Sequence, residues 1–284
     1  MNKPAAAPDH PKSRWLTTPH WYLWDGGFLL VGRGEGVVPP HSHHAIQVVI
    51  AIDGEPAIQG ERGEWQAGRA FIVRQDAVHS YKPNGALGAM LLVDPESAEG
   101  VWLRTALRDD ITFVPDTRLA SCAAEFQRLV DQPFESIGVG ELIEQCLQAI
   151  SPGAPPSRRL DERVTRVLSK IRGSDELRIS IDEAAAMAFL SPSRFAHLFK
   201  QQVGLPFRHY MLWRKLTRAM LVIGRGQTIS TAAHEADFSD AAHLTRTFYQ
   251  MVGLPPSVLM RGEFFEIPPP FETSDAPPPA SPGS

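Results

Sequence analysis

Two periodicities divide the chain. Over residues 45–93 the apolar positions form short runs: 45–52 (AIQVVIAI), which ends at the turn pair Asp53-Gly54, then 70–73 and 89–93, each bounded by Gly, Asp or Asn. Such runs predict strands, and short strands at even spacing predict a barrel or sandwich. From about Val101 the period lengthens. Leu119, Cys122, Phe126, Leu129 and Val130 keep helical spacing, as do Leu142, Ile143, Cys146, Leu147 and Ile150, so at least two amphipathic helices follow the strands. They serve either to cap the barrel or to pair two copies of the chain.

Punctuation then sets the modules. Residues 151–157 (SPGAPPS) form a Pro/Gly/Ser linker, and 268–284 form a Pro-rich stretch with too few apolar residues to fold. The expected organisation is a first domain over 14–150, a linker over 151–158, a second domain over 159–265 and a disordered tail over 266–284. A hydrophobic content of 43% in 284 residues is ample for two separate cores.

The second module contains an internal repeat. Leu190-Ser191-Pro192 through Phe199 and Val203-Gly204-Leu205-Pro206 recurs as Phe238-Ser239-Asp240 through Phe248 and Val252-Gly253-Leu254-Pro255, at an offset of 48 that becomes 49 after one inserted residue. In the first copy Ser180 and Glu183 form a capping box that opens a helix over 181–188. Ser191 then serves as N-cap with Pro192 in the first turn of a second helix over 192–202. That helix puts Phe195, Leu198 and Phe199 on one face and Arg194, His197 and Gln201 on another. In the second copy Thr228 opens an Ala-rich helix and Ser239 caps the next. There Leu244 and Phe248 turn inward, and His243, Arg246 and Gln250 form the exposed stripe. Each unit reads as a helix-turn-helix whose second helix suits a major groove. Between the copies, 207–223 keeps helical spacing without Gly or Pro, a rigid spacer of roughly 27 Å at about 1.5 Å per residue. Successive major-groove windows lie about 34 Å apart.

Charge sharpens this picture. The chain carries −4 overall, which alone argues against nucleic acid, but residues 161–262 hold 14 Lys+Arg against 9 Asp+Glu and the remainder is net −9. Two cysteines, Cys122 and Cys146, both in helical patterns, read as small buried hydrophobes in a reducing compartment. With no apolar leader at the start and no long apolar run, a soluble cytoplasmic protein without a membrane span is expected.

The residues 179–261, in particular S-P-S-R-F-A-H-L-F-K-x-x-V-G-L-P and D-F-S-D-A-A-H-L-T-R-T-F-Y-x-x-V-G-L-P-P-S, resemble the AraC family of bacterial regulators. The resemblance implies an α+β multidomain chain, with a cupin-like β-barrel and trailing helices followed by an all-α double helix-turn-helix. It further implies a dimeric, non-enzymatic transcription regulator, typically an activator, that binds double-stranded DNA near promoters where RNA polymerase is a partner and answers to a small-molecule effector. Family positions carried over residue by residue place Ser193, Arg194, Ala196 and His197 in the first motif, and Ala242, His243, Thr245 and Arg246 in the second, against bases. Lys200 is assigned to phosphate. Two departures stand out. The turns usually carry glycine at a positive-φ residue, and here those residues are Phe189 and Asp237, so the first turn is either reshaped or strained. His197 stands where arginine is usual, as at Arg246, so the second motif is expected to anchor guanine or phosphate while the first reads more by shape.

The first module carries His41-Ser42-His43-His44, Gln47 and His79. Residues 36–54 and 68–79 resemble the two motifs of a cupin barrel, which commonly holds a metal with three His and a Glu. Gln47 occupies the Glu position, and a neutral amide is a poorer ligand than a carboxylate, so no metal and no cofactor are expected. His41, His43, Gln47 and His79, with Trp24 nearby, are then candidates for holding a polar effector. Trp15, Trp21, Tyr22 and Trp24 read either as a lid or as core of the first strands. Two other readings remain open: a regulator whose barrel serves only assembly, and a metal-dependent cupin enzyme such as a dioxygenase or isomerase.

Overall fold

The computed structural model describes residues 14–131, 138–151, 160–174, 177–259 and 262–267. The expected linker from 152 and the Pro-rich tail from 268 lie outside them. Ten strands come first: β1 (Arg14–Trp15), β2 (His20–Trp24), β3 (Gly27–Glu35), β4 (Val38–His41), β5 (Ile46–Asp53), β6 (Ala57–Gly60), β7 (Gln66–Ala67), β8 (Ala70–Val73), β9 (His79–Lys82) and β10 (Leu87–Val93). Helix α1 (Ala98–Leu103), strand β11 (Ile111–Phe113), and helices α2 (Asp116–Asp131) and α3 (Val139–Ile150) complete this part. The helical part comprises α4 (Glu162–Arg172), α5 (Ile181–Met187), α6 (Pro192–Val203), α7 (Phe207–Gly224), α8 (Ile229–Glu235) and α9 (Ala241–Val252). After a 3-10 turn over Pro256–Leu259 comes β12 (Glu263–Glu266).

The strands form two sheets rather than one closed barrel. The larger runs β11-β8-β5-β10-β3-β2-β12 with β1 added on β3, and the smaller runs β4-β9-β6-β7. Strands predicted over 45–52, 70–73 and 89–93 are β5, β8 and β10. The helical spacing of 119–130 and 142–150 is realised in α2 and α3. Their stripes, among them Phe126, Leu129, Ile143 and Leu147, are buried against Tyr22, Trp24, Leu29, Val31 and Ile50. These helices thus cover the sheet, and the same cluster takes in Cys122 and Cys146, which are buried and not joined in a disulfide.

One core cluster crosses from the strand-rich part to the helical part. Along β2 and β3, Tyr22, Trp24, Leu29 and Val31 face α2 and α3, while the alternate residues Trp21, Leu23, Phe28 and Leu30 join one cluster with Phe195, Phe199, Trp213, Phe248 and Val252 of the helical part. Side chains alternate across a strand. A strand apolar at both phases therefore needs cover on both faces, and here each face is covered by a different part of the chain. The end of the chain reinforces the contact. β12, which runs one residue past the expected second module into the segment expected to be disordered, adds to the first module's sheet in parallel with β2, in register Glu263 with His20 and Phe265 with Tyr22.

Helix α7 is the centre of this arrangement. Phe207, Tyr210, Trp213, Leu216, Met220 and Ile223 are all buried. The Trp213 Nε1–H donates to Oδ2 of the fully buried Asp94 at 2.7 Å, across the junction. Removing the donor strands a buried carboxylate oxygen and opens space at the same place. Trp213→Phe is expected to cost roughly 2–4 kcal/mol, read as a lowered midpoint in urea unfolding of the full chain. An unchanged midpoint would show that this bond does not hold the two parts together.

Candidate nucleic-acid interface and the junction behind it

Each motif is built as its sequence dictates. Ser180 caps α5 by accepting from the Glu183 N–H at 3.2 Å, and the Ser180 N–H donates back to Glu183 at 2.7 Å. Those bonds to its charged form hold the Glu183 carboxyl below its ordinary range. Alanines Ala184, Ala185 and Ala188 are buried where α5 meets α6, and Ala232, Ala233 and Ala236 where α8 meets α9. Small side chains let the helices cross closely. Ser191 is the N-cap residue of α6 with Pro192 following, although its hydroxyl makes no cap bond. In the second unit the cap is Asp240 and not Ser239: Oδ1 of Asp240 accepts from the His243 N–H at 2.7 Å, because the carboxylate lies one residue closer to the first turn.

Both turns do pass through the left-handed region without glycine. Phe189 has φ 56 and Asp237 φ 58, so the first turn keeps the usual shape and bears its strain. Phe189 is 85% exposed, with the Arg166 guanidinium 5.6 Å from its ring. Asp237 is differently placed. Its carboxylate accepts from Lys215 Nζ of α7 at 2.6 Å and from Arg178 of the segment before α5, so it ties both motifs to the rod. Burial alone would raise the Asp237 carboxyl, but the bonds from Lys215 and Arg178 prevail and hold it low.

The reading stripes are open. Ser193, Arg194, His197, Ala242, His243 and Arg246 are exposed, and Ala196 and Thr245 are half-buried. Arg194, His197 and Arg246 make no ion pair among the described residues. The His243 ring is held by Ser239 Oγ at 3.1 Å and edge-on by Phe238, whereas the Thr245 hydroxyl is committed to the Ala241 carbonyl at 2.8 Å. A groove of about 850 Å³ beside α6 is bordered by Ala196, Lys200, Arg208, Lys215 and Arg178. Lys200 also answers to the other side of the molecule, with its Nζ 3.9 Å from Glu96 of the strand-rich part.

Behind the stripes, both reading helices end on the strand-rich part. Gly204 and Gly253 cap α6 and α9 at φ 89 and 78. A Cβ on Gly204 would lie 2.7 Å from the Ala98 backbone, and one on Gly253 would lie 2.4 Å from the His41 ring. The His44 N–H donates to the Gln250 carbonyl at 2.9 Å.

The histidines do meet. His41, His43 and His79 pack ring to ring, with centroids 4.3 to 5.6 Å apart, and the Gln47 amide oxygen is 2.9 Å from Nε2 of His43. Burial lowers the pKa of His41 to about 4 and of His79 to about 3, and lowers that of His43 as well, so all three are neutral near pH 7. Trp24 is elsewhere, buried in the cluster under α2 and α3, as the core reading of these aromatics expects. The cavity that His41 and Gln47 border holds about 20 Å³. Room for an organic molecule lies on the neighbouring face. A cavity of about 540 Å³ is lined by Trp15, Leu30, Tyr81 and Met90 of the sheets and by Leu254 and Val258 after α9. No periodicity announces it, because apposition of distant segments makes it.

A strand sandwich carrying two helix-turn-helix units on one stiff helix defines the class. Residues 184–262 match a family described as a helix-turn-helix domain. Among curated proteins the chain is 32% identical over 107 residues to the probable transcriptional regulator LumQ of Photobacterium leiognathi, covering 37% of this chain and 42% of that protein. It is 29% identical over 126 residues to the arabinose operon regulatory protein of Escherichia coli, covering 43% of this chain and 42% of that one. The chain thus spans about two fifths of the length of these relatives. Among solved structures, ToxT of Vibrio cholerae aligns over 88% of this chain and 98% of that chain at 6% identity, with a TM-score of 0.45. No helix among the described residues is long and apolar enough to cross a membrane.

The two turns give opposite expectations. Phe189→Gly relieves a left-handed backbone at the loss of little contact and is expected to stabilise by about 0.5 kcal/mol. Asp237→Gly relieves the same strain but removes two charged partners, for a net loss of about 1 kcal/mol. Paired thermal melts check the signs.

Proposed function

We propose that the chain is a sequence-specific transcription regulator that binds double-stranded DNA with two reading helices and changes its DNA-bound population when a small molecule occupies the junction. The observation that carries the reading is the duplicated motif on a stiff spacer, each copy presenting an exposed stripe whose arginine, Arg194 or Arg246, makes no ion pair among the described residues. Ser193, Arg194, Ala196 and His197 from α6, and Ala242, His243, Thr245 and Arg246 from α9, are the proposed base-side contacts. Lys200 is the proposed phosphate contact, in competition with Glu96. The relatives' printed names, a probable transcriptional regulator and an operon regulatory protein, support the same role. Two copies on paired half-sites and contact with RNA polymerase fit this function. The apolar stripes of α2 and α3 are spent on the sheet, so pairing would have to use other surfaces.

A duplex selected from a random library by the full chain tests this. Affinity should fall steeply with salt, and Arg246→Ala should weaken it about 10- to 100-fold, the worth of one bidentate guanine contact. Arg194→Ala should weaken it less. No salt-sensitive affinity for any duplex would end the reading, and loss at Arg194 alone would reverse the ranking.

The proposed effector is a mostly apolar molecule in the 540 Å³ cavity, within the size range of small-molecule sites. Whatever binds there touches the strands and the segment leaving α9 at once, so it can favour one placement of that helix. Compounds that raise the melting temperature of the full chain are expected to lose that effect in Met90→Trp, which fills the cavity. Retained shifts would place the effector elsewhere.

A further inference from the structure

We propose that the second reading helix selects thymine by its C5-methyl group, through a strip formed by Ala242, Thr245 and Tyr249 on α9, beside the base read by Arg246. The inference rests on the DNA-binding function proposed above and adds the base feature that this helix recognises.

Three observations carry it. The first is spacing. Residues 242, 245 and 249 stand at i, i+3 and i+7, so they line one strip of the helix surface, next to the polar strip of His243, Arg246 and Gln250. The second is exposure. Ala242 is open, Thr245 is half-buried and Tyr249 is 45% exposed, whereas the other large apolar residues of α9, Leu244, Phe248, Met251 and Val252, are buried. The third is a hydrogen bond. The Thr245 hydroxyl donates to the Ala241 carbonyl at 2.8 Å. A hydroxyl has one proton, so none is left for an acceptor on a base edge. The same bond back along the helix holds the β-branched side chain in one rotamer. The Cγ2 methyl is then the group of Thr245 with no other commitment.

The major groove offers one apolar group, the thymine C5-methyl, and the methyls of alanine and threonine are its usual protein partners. Guanine presents acceptors there, cytosine a donor, and adenine one of each. A strip of two methyls and a ring edge has little to exchange with those edges. Two helical turns from 242 to 249 span about 10 Å, against about 3.4 Å per base step, so the strip reaches about three base pairs. Arg246 follows Thr245 directly, which puts the thymine next to the base that the guanidinium reads.

The first reading helix lacks this strip. Its counterparts on α6, 49 residues earlier, are Ser193, Ala196 and Lys200: a hydroxyl, one methyl and an ammonium. Methyl reading is therefore assigned to the half-site under α9 alone, and the half under α6 is a control within the same complex. Loss of all duplex binding would defeat the DNA-binding function itself. Binding that is indifferent to thymine methyls would defeat this inference and leave that function standing.

The test uses the full chain and the duplex it selects from a random library, with each thymine replaced in turn by deoxyuridine, which removes the methyl and nothing else. The bases under α9 are those at which Arg246→Ala relaxes the preference. At the thymine beside them, deoxyuridine is expected to weaken binding about 3- to 5-fold, the worth of one buried methyl, while the exchange under α6 has no effect. Thr245→Val keeps the methyl and discards the hydroxyl, so the deoxyuridine penalty should persist. Thr245→Ser keeps the hydroxyl and discards the methyl, so the penalty should vanish. The readout is a ratio of two affinities within each variant, and a general loss of stability cancels from it. A selected site with no thymine beside the base read by Arg246, no penalty at any position under α9, a penalty that survives in Thr245→Ser, or one that vanishes in Thr245→Val overturns the inference.

Discussion

The structure depends on one obligation: β2 and β3 are apolar on both faces, and only the helical part can cover the second. Trp21, Phe28 and Leu30 present more apolar area than any surface loop would hide, at about 25 cal/mol per Å² removed from water. α7 is the element shaped to meet them. It is buried on most of its circumference, which a spacer between two solvent-facing DNA motifs would not require for its own sake. The rod that spaces the reading helices is thus also the floor on which the sheets rest.

Polar groups at the same boundary fix its register. Asp25, at the β2–β3 turn, is almost fully buried, and burial pushes its carboxyl upward against the opposing pull of Arg214 and Arg172. Arg214 of α7 spans to Asp25 at 3.6 Å and to Glu266 of β12 at 2.7 Å. With Trp213 on Asp94 and with Lys200 and His209 near Glu96, both α7 and α6 have polar partners across the junction. Hydrophobic cover supplies most of the adhesion, and these pairs specify one docking among the many that apolar surfaces alone would permit.

Much of the helical part was legible, because capping, spacing and the repeat are local. Ser180 with Glu183, Pro192 after Ser191 and the run over 207–223 each fix an element from a handful of neighbours. What local pattern missed was relational. β2 and β3 lack the polar alternation that marks a half-exposed strand, so their spans went unassigned, although unbroken apolarity is itself the sign of a strand covered twice. β12 contributes two Phe flanked by acids, too short to be distinguished from loop until β2 lies beside it. The histidines were found as a group. Their tautomers depend on carbonyls of Pro39, Ala45 and Ala77 that no residue identity encodes.

The parallel pairing of β12 with β2 means that the polypeptide leaves the sheets, builds both reading units, and comes back to the same sheet. A helical part paired to the sheet beyond its last helix, and buried against one face of β2 and β3, has lost the freedom to swing away as a unit.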